Sequence, residues 1–167
     1  MNCCVTDESH QRVEEDNCAG FLEANCCGKC ESQGHPVSLK TILMMLRPEL
    51  LEQVMSGSHR FCPLRDCPVV YFDDERKHQF TVDDLRIRVG LKVKQHPIPL
   101  CYCFGFEEGD IRNEIARAGS TTIPERVSRL IREGLCACDA RNPAGVCCLS
   151  EVIKTANRLL AERAEST

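Results

Sequence analysis

Apolar positions along this chain follow two different rhythms. In the first half they come in short runs. Residues 37–46 are apolar with threonine, and Pro48 then opens a short amphipathic stretch, ELLEQVM, as a proline in a first helical turn does. Arg60-Phe61-Cys62 and Val69-Val70-Tyr71-Phe72 are β-rich runs separated by CPLRDCP, and residues 85–89 alternate apolar and basic like a half-buried strand. A small sheet with some helix is the expectation. In the second half the period is helical. Ile111, Ile115 and Ala118 share a face of a helix over 108–118 that Gly119 stops. Thr121 and Thr122 can cap a second helix that begins at Pro124, carries Val127, Leu130 and Ile131 as its stripe and ends at Gly134. Ser150 caps a last helix with Val152, Ile153, Ala156, Leu159 and Leu160 inward. Three short helices are therefore expected. The polar, proline-bearing residues 94–99 separate the halves, because neither a helix nor a central strand runs through them. Residues 1–25 are polar and acidic without periodicity and read as a loose arm. The expected organisation is an arm (1–25), a β-rich module (26–93), a linker (94–99) and a helical module (100–167), an α+β fold.

Composition changes this picture at one residue type. Fourteen of 167 residues are cysteine, about 8%, a level that marks disulfide scaffolds in short secreted chains. The N-terminal MNCCVTDESHQRVEED has neither a basic n-region nor an apolar h-region, so the expected compartment is the cytoplasm, where cysteines are thiolates available for metal. Lysine and arginine (21) against aspartate and glutamate (25) leave a net charge of -4 with the signs interleaved, which gives no basic footprint for nucleic acid. The longest apolar run, residues 41–46, is far short of a bilayer span. With 5% aromatics and no tryptophan, an aromatic groove for bases is excluded as well.

The cysteines divide at the linker. Eight precede it (Cys3, Cys4, Cys18, Cys26, Cys27, Cys30, Cys62, Cys67) and six follow it (Cys101, Cys103, Cys136, Cys138, Cys147, Cys148), which suggests two independent metal sites. Cys27 and Cys30 form a C-x2-C pair, and Cys62 and Cys67 form a C-x4-C pair on a turn between two strands. Four such thiolates make the closed, structural form of a zinc site. Buried cysteine is often only a small core residue, but proline-rich turn sequence beside Arg65 and Asp66 favours metal. Cys26 competes with Cys27, and His35 and His59 are alternative ligands by type. After the linker, Cys101-Tyr102-Cys103 is a C-x-C pair that can hold one iron of a [2Fe-2S] cluster while a distant pair in LCACDARNPAGVCCL holds the other. Six cysteines compete there for four places, and spacing alone leaves a second zinc open. The NPAG turn can aim backbone N–H groups at cluster sulfurs.

The run RFCPLRDCPVVYF, followed by RIRVGLK, PLCYCFGF and NPAGVCCL, resembles the N-terminal metal-binding domain of CopZ-type copper chaperones, and the later half is similar to bacterioferritin-associated ferredoxin. The resemblance runs from about Cys27 to the final helix. It implies a zinc-bound first module and a [2Fe-2S]-bound second one. By position it implies Cys27, Cys30, Cys62 and Cys67 as zinc ligands, Cys101 and Cys103 as the family's C-Y-C, and Cys138 and Cys148 as the remaining cluster pair. The copper chaperones end in a heavy-metal-associated domain with an M-x-C-x-x-C site, a motif that these residues do not contain, so a dedicated copper-delivery domain is not expected here. Cys3, Cys4, Cys18 and Cys26 have no counterpart in the resemblance, and Cys136 and Cys147 are surplus near the cluster.

The expected function is that of a zinc and [2Fe-2S] metalloprotein with a one-electron role in the handling of copper or another soft metal, working with a redox or metal-transfer protein. A thiol-rich carrier or sensor of Cu(I) or Hg(II) with a structural cluster is the alternative. Hydrolytic chemistry is disfavoured, because none of the five histidines lies in a nucleophile motif.

Overall fold

A computed structural model describes residues 25–165 apart from Met55 and Arg76. The expected arm over residues 1–25 thus lies outside the described residues, save Asn25. The fold is α+β. Four short strands, β1 (His35–Val37), β2 (His59–Phe61), β3 (Val69–Asp73) and β4 (Gln79–Thr81), pair antiparallel in chain order. Every residue of β3 is buried. On one face Val70 and Tyr71 pack with Ile42, Leu46 and Phe80, while on the other Val69 and Phe72 pack with Cys27, Cys62 and Cys67. The run VVYF is continuously apolar for this reason: a strand covered on both sides has no solvent face to alternate with.

Helix α1 (Leu39–Met45) closes the first of these faces, and the Ser38 hydroxyl caps it by accepting the Thr41 amide at 3.1 Å. Residues 48–53 wind as a 3-10 turn beginning at Pro48. Residues 85–89 do not join the sheet. They alternate in burial as read, with Leu85 and Val89 inside and Arg86 and Arg88 outside, but Leu85 pairs only as an isolated bridge to Leu46. The backbone hydrogen bonds of this edge go to the end of α1, Arg86 N–H to the Met45 carbonyl and Arg47 N–H to the Asp84 carbonyl. Arg86 Nε takes the Leu46 carbonyl, so a side chain supplies what a ladder partner would have given.

The second half opens with a hairpin of β5 (Pro99–Cys101) and β6 (Phe106–Glu107). It continues through four helices rather than three: α2 (Glu108–Ala118), α3 (Ile123–Arg132), α4 (Cys138–Arg141) and α5 (Leu149–Glu165). Ile111, Ile115, Ile123, Val127, Val152, Ala156 and Leu159 form their core. Ala118 and Ile153, both placed inward by periodicity, are exposed. Helix α5 starts one residue before the expected Ser150 cap, and the Cys148 carbonyl accepts the first intrahelical bond from Val152 N–H at 3.1 Å. At the start of α3 Thr122 makes no side-chain cap bond, but the Thr121 hydroxyl accepts Ile123 N–H at 3.3 Å and donates to the Glu114 carboxylate at 2.7 Å, which also accepts the Thr122 amide at 2.8 Å. An ionised acceptor makes the stronger bond of the two types available. The Glu108 carboxylate, buried at the head of α2, is shared between Arg112 at 2.9 Å and Arg158 of α5 at 2.7 Å.

The two halves pack on each other. The Tyr71 hydroxyl donates to the Pro143 carbonyl at 2.8 Å, and Thr41 donates to the Asp139 carbonyl. From the other side, the Tyr102 hydroxyl accepts Gly90 N–H at 2.7 Å and donates to the Arg88 carbonyl at 3.3 Å. Burial pushes the Tyr102 phenol up to about 12 and raises that of Tyr71 too, so both remain donors. Gly90 is obligatory at this crossing, since a β-carbon there would come within 1.8 Å of the Pro99 carbonyl oxygen. Ala144, from the loop between α4 and α5, packs against the first half's core. A cavity of about 580 Å³ opens along the seam beside Phe61, Val89, Tyr102, Ala144 and Cys147.

Candidate metal centres

Cys27 and Cys30 occupy a tight turn that Cys26 and Gln33 close as a β-bridge. Within it, Cys27 N–H reaches the Ser32 carbonyl at 2.9 Å and Glu31 N–H the Cys27 carbonyl at 2.8 Å, with Glu31 in the left-handed region at φ 60°. Cys62 follows β2 directly and Cys67 lies two residues before β3, with Cys67 N–H bonded to the Leu64 carbonyl at 3.2 Å. Two turns thus face each other across the sheet end. Gly34 lets the first of them sit down on Phe72, because a β-carbon at that position would meet the ring at 2.5 Å.

The four sulfurs of Cys27, Cys30, Cys62 and Cys67 all lie within 4.8 Å of one another. Cys30 and Cys62 are 3.5 Å apart, and Cys27 and Cys67 are 3.9 Å apart. A tetrahedron with Zn–S bonds of about 2.3 Å has S···S edges of about 3.8 Å, so this donor set fits zinc. Three of the four cysteines are buried against Val69 and Phe72 and Cys30 is half-buried, which matches a structural site. On their own the thiols share protons. A hydrogen bond from Cys62 is the largest cause that draws Cys27 down to about 5, the same bond and burial raise Cys62, and burial pushes Cys67 up to about 11. A divalent cation replaces those protons.

The competing ligands are accounted for elsewhere. Cys26 is disulfide-bonded and so is no rival thiolate for Cys27. His35 stacks on Phe61 with ring centroids 6.1 Å apart, and burial lowers its pKa. His59 bonds the Gly57 carbonyl at 3.1 Å. Cys3, Cys4 and Cys18 lie outside the described residues. One contributor carried no signal in the sequence: the Lys92 ammonium donates to the Leu64 carbonyl at 2.6 Å and the Cys67 carbonyl at 3.2 Å, bracing the second turn.

Cys101, Cys103, Cys138 and Cys148 converge in the second half, and they do so differently. Cys101 ends β5, Cys103 sits in the hairpin turn, Cys138 opens α4 and Cys148 immediately precedes α5. Cys103 and Cys138 sulfurs are 3.7 Å apart, while Cys101 pairs with Cys148, whose hydrogen bond holds the Cys101 thiol below its ordinary value. The Cys148 thiol, as that bond's donor, is pushed up to about 12. Each pair therefore joins the hairpin to the start of a helix, instead of joining the two ends of the C-x-C. Ala137 N–H donates to the Cys103 sulfur at 3.3 Å. The Asn142 side chain shapes the intervening turn, accepting Ala144 N–H at 3.1 Å and donating to the Val146 carbonyl at 2.6 Å. Cys147 is half-buried with its thiol bonded to Cys138, and Cys136 is half-buried against the helical core. Among the described residues, only the Cys27 quartet has three or more donor atoms mutually within 4.8 Å. The later sulfurs run instead as an open string, Cys103 to Cys138, Cys138 to Cys148 and Cys148 to Cys101, with Cys147 also bonded to Cys138.

Residues 24–86 match the family of CopZ zinc-binding domains, described as a zinc binding domain. The chain is 29% identical over 123 residues to the copper chaperone CopZ of Archaeoglobus fulgidus, an alignment covering 73% of this chain and 57% of that protein. The chain thus spans little more than half the length of this relative. The X-ray structure of the Archaeoglobus fulgidus CopZ N-terminal domain superposes with a TM-score of 0.64 at 28% identity, covering 77% of this chain and 95% of that one. The superposed portion is longer than the 24–86 segment and so extends into the second half. No helix among the described residues is long and apolar enough to cross a membrane.

Proposed function

With residues 24–86 established as a zinc-binding domain of the CopZ type, we propose that the chain is a two-centre metalloprotein of soft-metal handling. Cys27, Cys30, Cys62 and Cys67 hold one structural Zn²⁺ in a 26–93 module. Cys101, Cys103, Cys138 and Cys148 hold a [2Fe-2S] cluster in a 100–167 module. When bound, such a cluster supplies one-electron exchange, the chemistry demanded by a metal carried as Cu(I) but met as Cu(II). Copper is the favoured cargo because the matched relative is a copper chaperone.

The observation that carries the cluster reading is that the later sulfurs form an open string with Cys103 and Cys138 at one end and Cys148 and Cys101 at the other, no three of them mutually within 4.8 Å. A single zinc draws four thiolates to one centre, whereas two irons need two pairs set apart by the metal–metal vector. Cys103 with Cys138 and Cys101 with Cys148 provide those pairs. The chain's own contribution is to orient them: Ala137 N–H stabilises charge on the Cys103 sulfur, and the first turn of α5 presents its amides behind Cys148.

Anaerobic purification with zinc, iron and acid-labile sulfide quantified tests the reading. One zinc, two irons and two sulfides per chain, with visible absorbance, are expected. Two zincs and no sulfide from cells grown with ample iron overturns the cluster. Stoichiometric Cu(I) binding lost on substituting Cys3 and Cys4 supports a thiol-rich carrier instead.

A further inference from the structure

Two tyrosines cross the seam in opposite directions, Tyr71 ending in the loop between Cys138 and Cys148 and Tyr102 ending on the segment that leads to Lys92. Tyr71 lies on β3, four residues after Cys67, yet its hydroxyl holds the Pro143 carbonyl, within the loop that connects Cys138 to Cys148. Tyr102 stands between Cys101 and Cys103, yet its hydroxyl holds Gly90 N–H and the Arg88 carbonyl. Gly90 begins the 3-10 turn Gly90–Lys92, and that turn delivers Lys92 to the Leu64 and Cys67 carbonyls of the zinc-side turn. Each path is an unbroken chain of covalent and hydrogen bonds, buried at the Tyr71–Pro143 contact, half-buried at the Gly90–Tyr102 contact and reaching the surface at Leu64, the kind of contiguous network through which coupling is carried.

Neighbouring contacts reinforce the first path. Thr41 donates to the Asp139 carbonyl one residue after Cys138, and Gly145 lies in contact range of Val37, 3.4 Å from its nearest methyl when a β-carbon is placed on the glycine. The loop carrying two of the later ligands is therefore held by the zinc module as well as by its own Asn142 turn.

We propose that Tyr71 and Tyr102 are crossed positioning residues that couple the two metal centres, the zinc module fixing the ligand loop of the cluster and the C-Y-C hairpin fixing the brace of the zinc turn. This rests on the two-centre reading above. Coupling of this kind is reciprocal: metal held in one centre slows its own module's opening and so retains metal in the other.

The test is the rate at which each metal is lost from the fully loaded full-length protein, zinc to a zinc chelator and iron to a ferrous chelator, in wild type, Tyr71→Phe and Tyr102→Phe. Removing the phenol leaves a buried carbonyl or amide unpaired, which corresponds to about a tenfold change in an opening equilibrium. Tyr71→Phe, a change in the zinc module, is expected to speed iron loss about tenfold with zinc loss near wild type. Tyr102→Phe is expected to speed zinc loss by a similar factor. Ile42→Val, a buried change in the same core as Tyr71 but outside both paths, controls for general loosening and is expected to leave iron loss unchanged. The proposal is overturned if each tyrosine variant loses only its own module's metal faster, or if neither rate moves. Should the protein carry two zincs, the cluster reading fails, while the crossed pattern is still read from the release of the second zinc.

Discussion

The two candidate centres solve the same problem, four thiolates brought together, with opposite architectures. At Cys27, Cys30, Cys62 and Cys67 two turns cap the end of a sheet, and the sulfurs surround a point within 4.8 Å of one another. At Cys101, Cys103, Cys138 and Cys148 a hairpin faces the starts of two helices, and the sulfurs are strung out from Cys103 through Cys138 and Cys148 to Cys101. The difference teaches what each centre is for. A turn pair fixed by backbone bonds and sealed by Val69 and Phe72 is a staple, and metal binding there is folding free energy. Helix starts offer amides and a positive dipole end, which suits the charge-changing cluster proposed above.

The sharpest way to break the comparison is to remove one ligand from each centre. Cys67→Ser is expected to lose zinc and to lower the melting temperature by about 10 °C or more, since losing a structural zinc removes several kcal/mol from a chain of this size. Its cluster absorbance persists but is lost faster to chelator. Cys103→Ser is expected to bleach the visible spectrum while zinc content stays at one per chain. Equal loss of both metals in both variants would mean one fold unit with no division of roles.

Much of this contrast was legible in the residue string, and what escaped has a physical pattern. The C-x2-C and C-x4-C pairs, the VVYF strand and the stop at Gly119 are local signals, each decided within a few residues. The three-residue strands β1 and β4 were not read, since so short a segment is specified by its neighbours and not by its own alternation. Residues 85–89 have a strand's alternation, yet their partner is the end of α1. Sequence also divided the cysteines cleanly at the linker, suggesting independent sites. The bonds from Tyr71 to Pro143 and from Thr41 to Asp139 cross that division at separations of 72 and 98 residues, beyond the reach of any motif. Pairing of Cys101 with Cys148, in place of its neighbour Cys103, is long-range in the same way.

A finer test asks which later cysteines bind metal. Cys101→Ser, Cys103→Ser, Cys138→Ser and Cys148→Ser are each expected to lose or strongly alter the visible spectrum, because oxygen is the poorer ligand at a sulfur-selective site. Cys136→Ser and Cys147→Ser are expected to keep it. Cys147 is the informative member: its thiol already bonds to Cys138, so it stands close enough to substitute. If Cys147→Ser loses the cluster and Cys148→Ser retains it, the fourth ligand is Cys147, and the pairing across to Cys101 must be redrawn while two-centre binding survives.

The smallest expected effect separates the scaffold of the helical centre from its ligands. Glu114 braces the start of α3 through the Thr121 hydroxyl and the Thr122 amide, and these bonds, the Thr121 bond foremost, hold its carboxyl below the usual carboxylate range. A carboxyl whose folded pKa is depressed contributes stability above its unfolded value, about 4.3, and that contribution is lost as pH falls through the lower folded value. Glu114→Gln keeps the shape but not the charge, and is expected to lower stability at pH 7 by about 0.5–1 kcal/mol, the size of a helix cap. The two proteins differ at this one group, so the difference between their urea midpoints isolates it as pH is lowered from 7 to well below about 4. That difference should shrink across the acid end, because protonation of Glu114 brings the wild type to the variant's condition. A gap that stays constant with pH would place the stabilisation in the shape of the side chain and not in its charge. The start of α3 would then resemble the first zinc-side turn, around Cys27 and Cys30, which is fixed by backbone bonds, and one element of the contrast between the two modules would disappear.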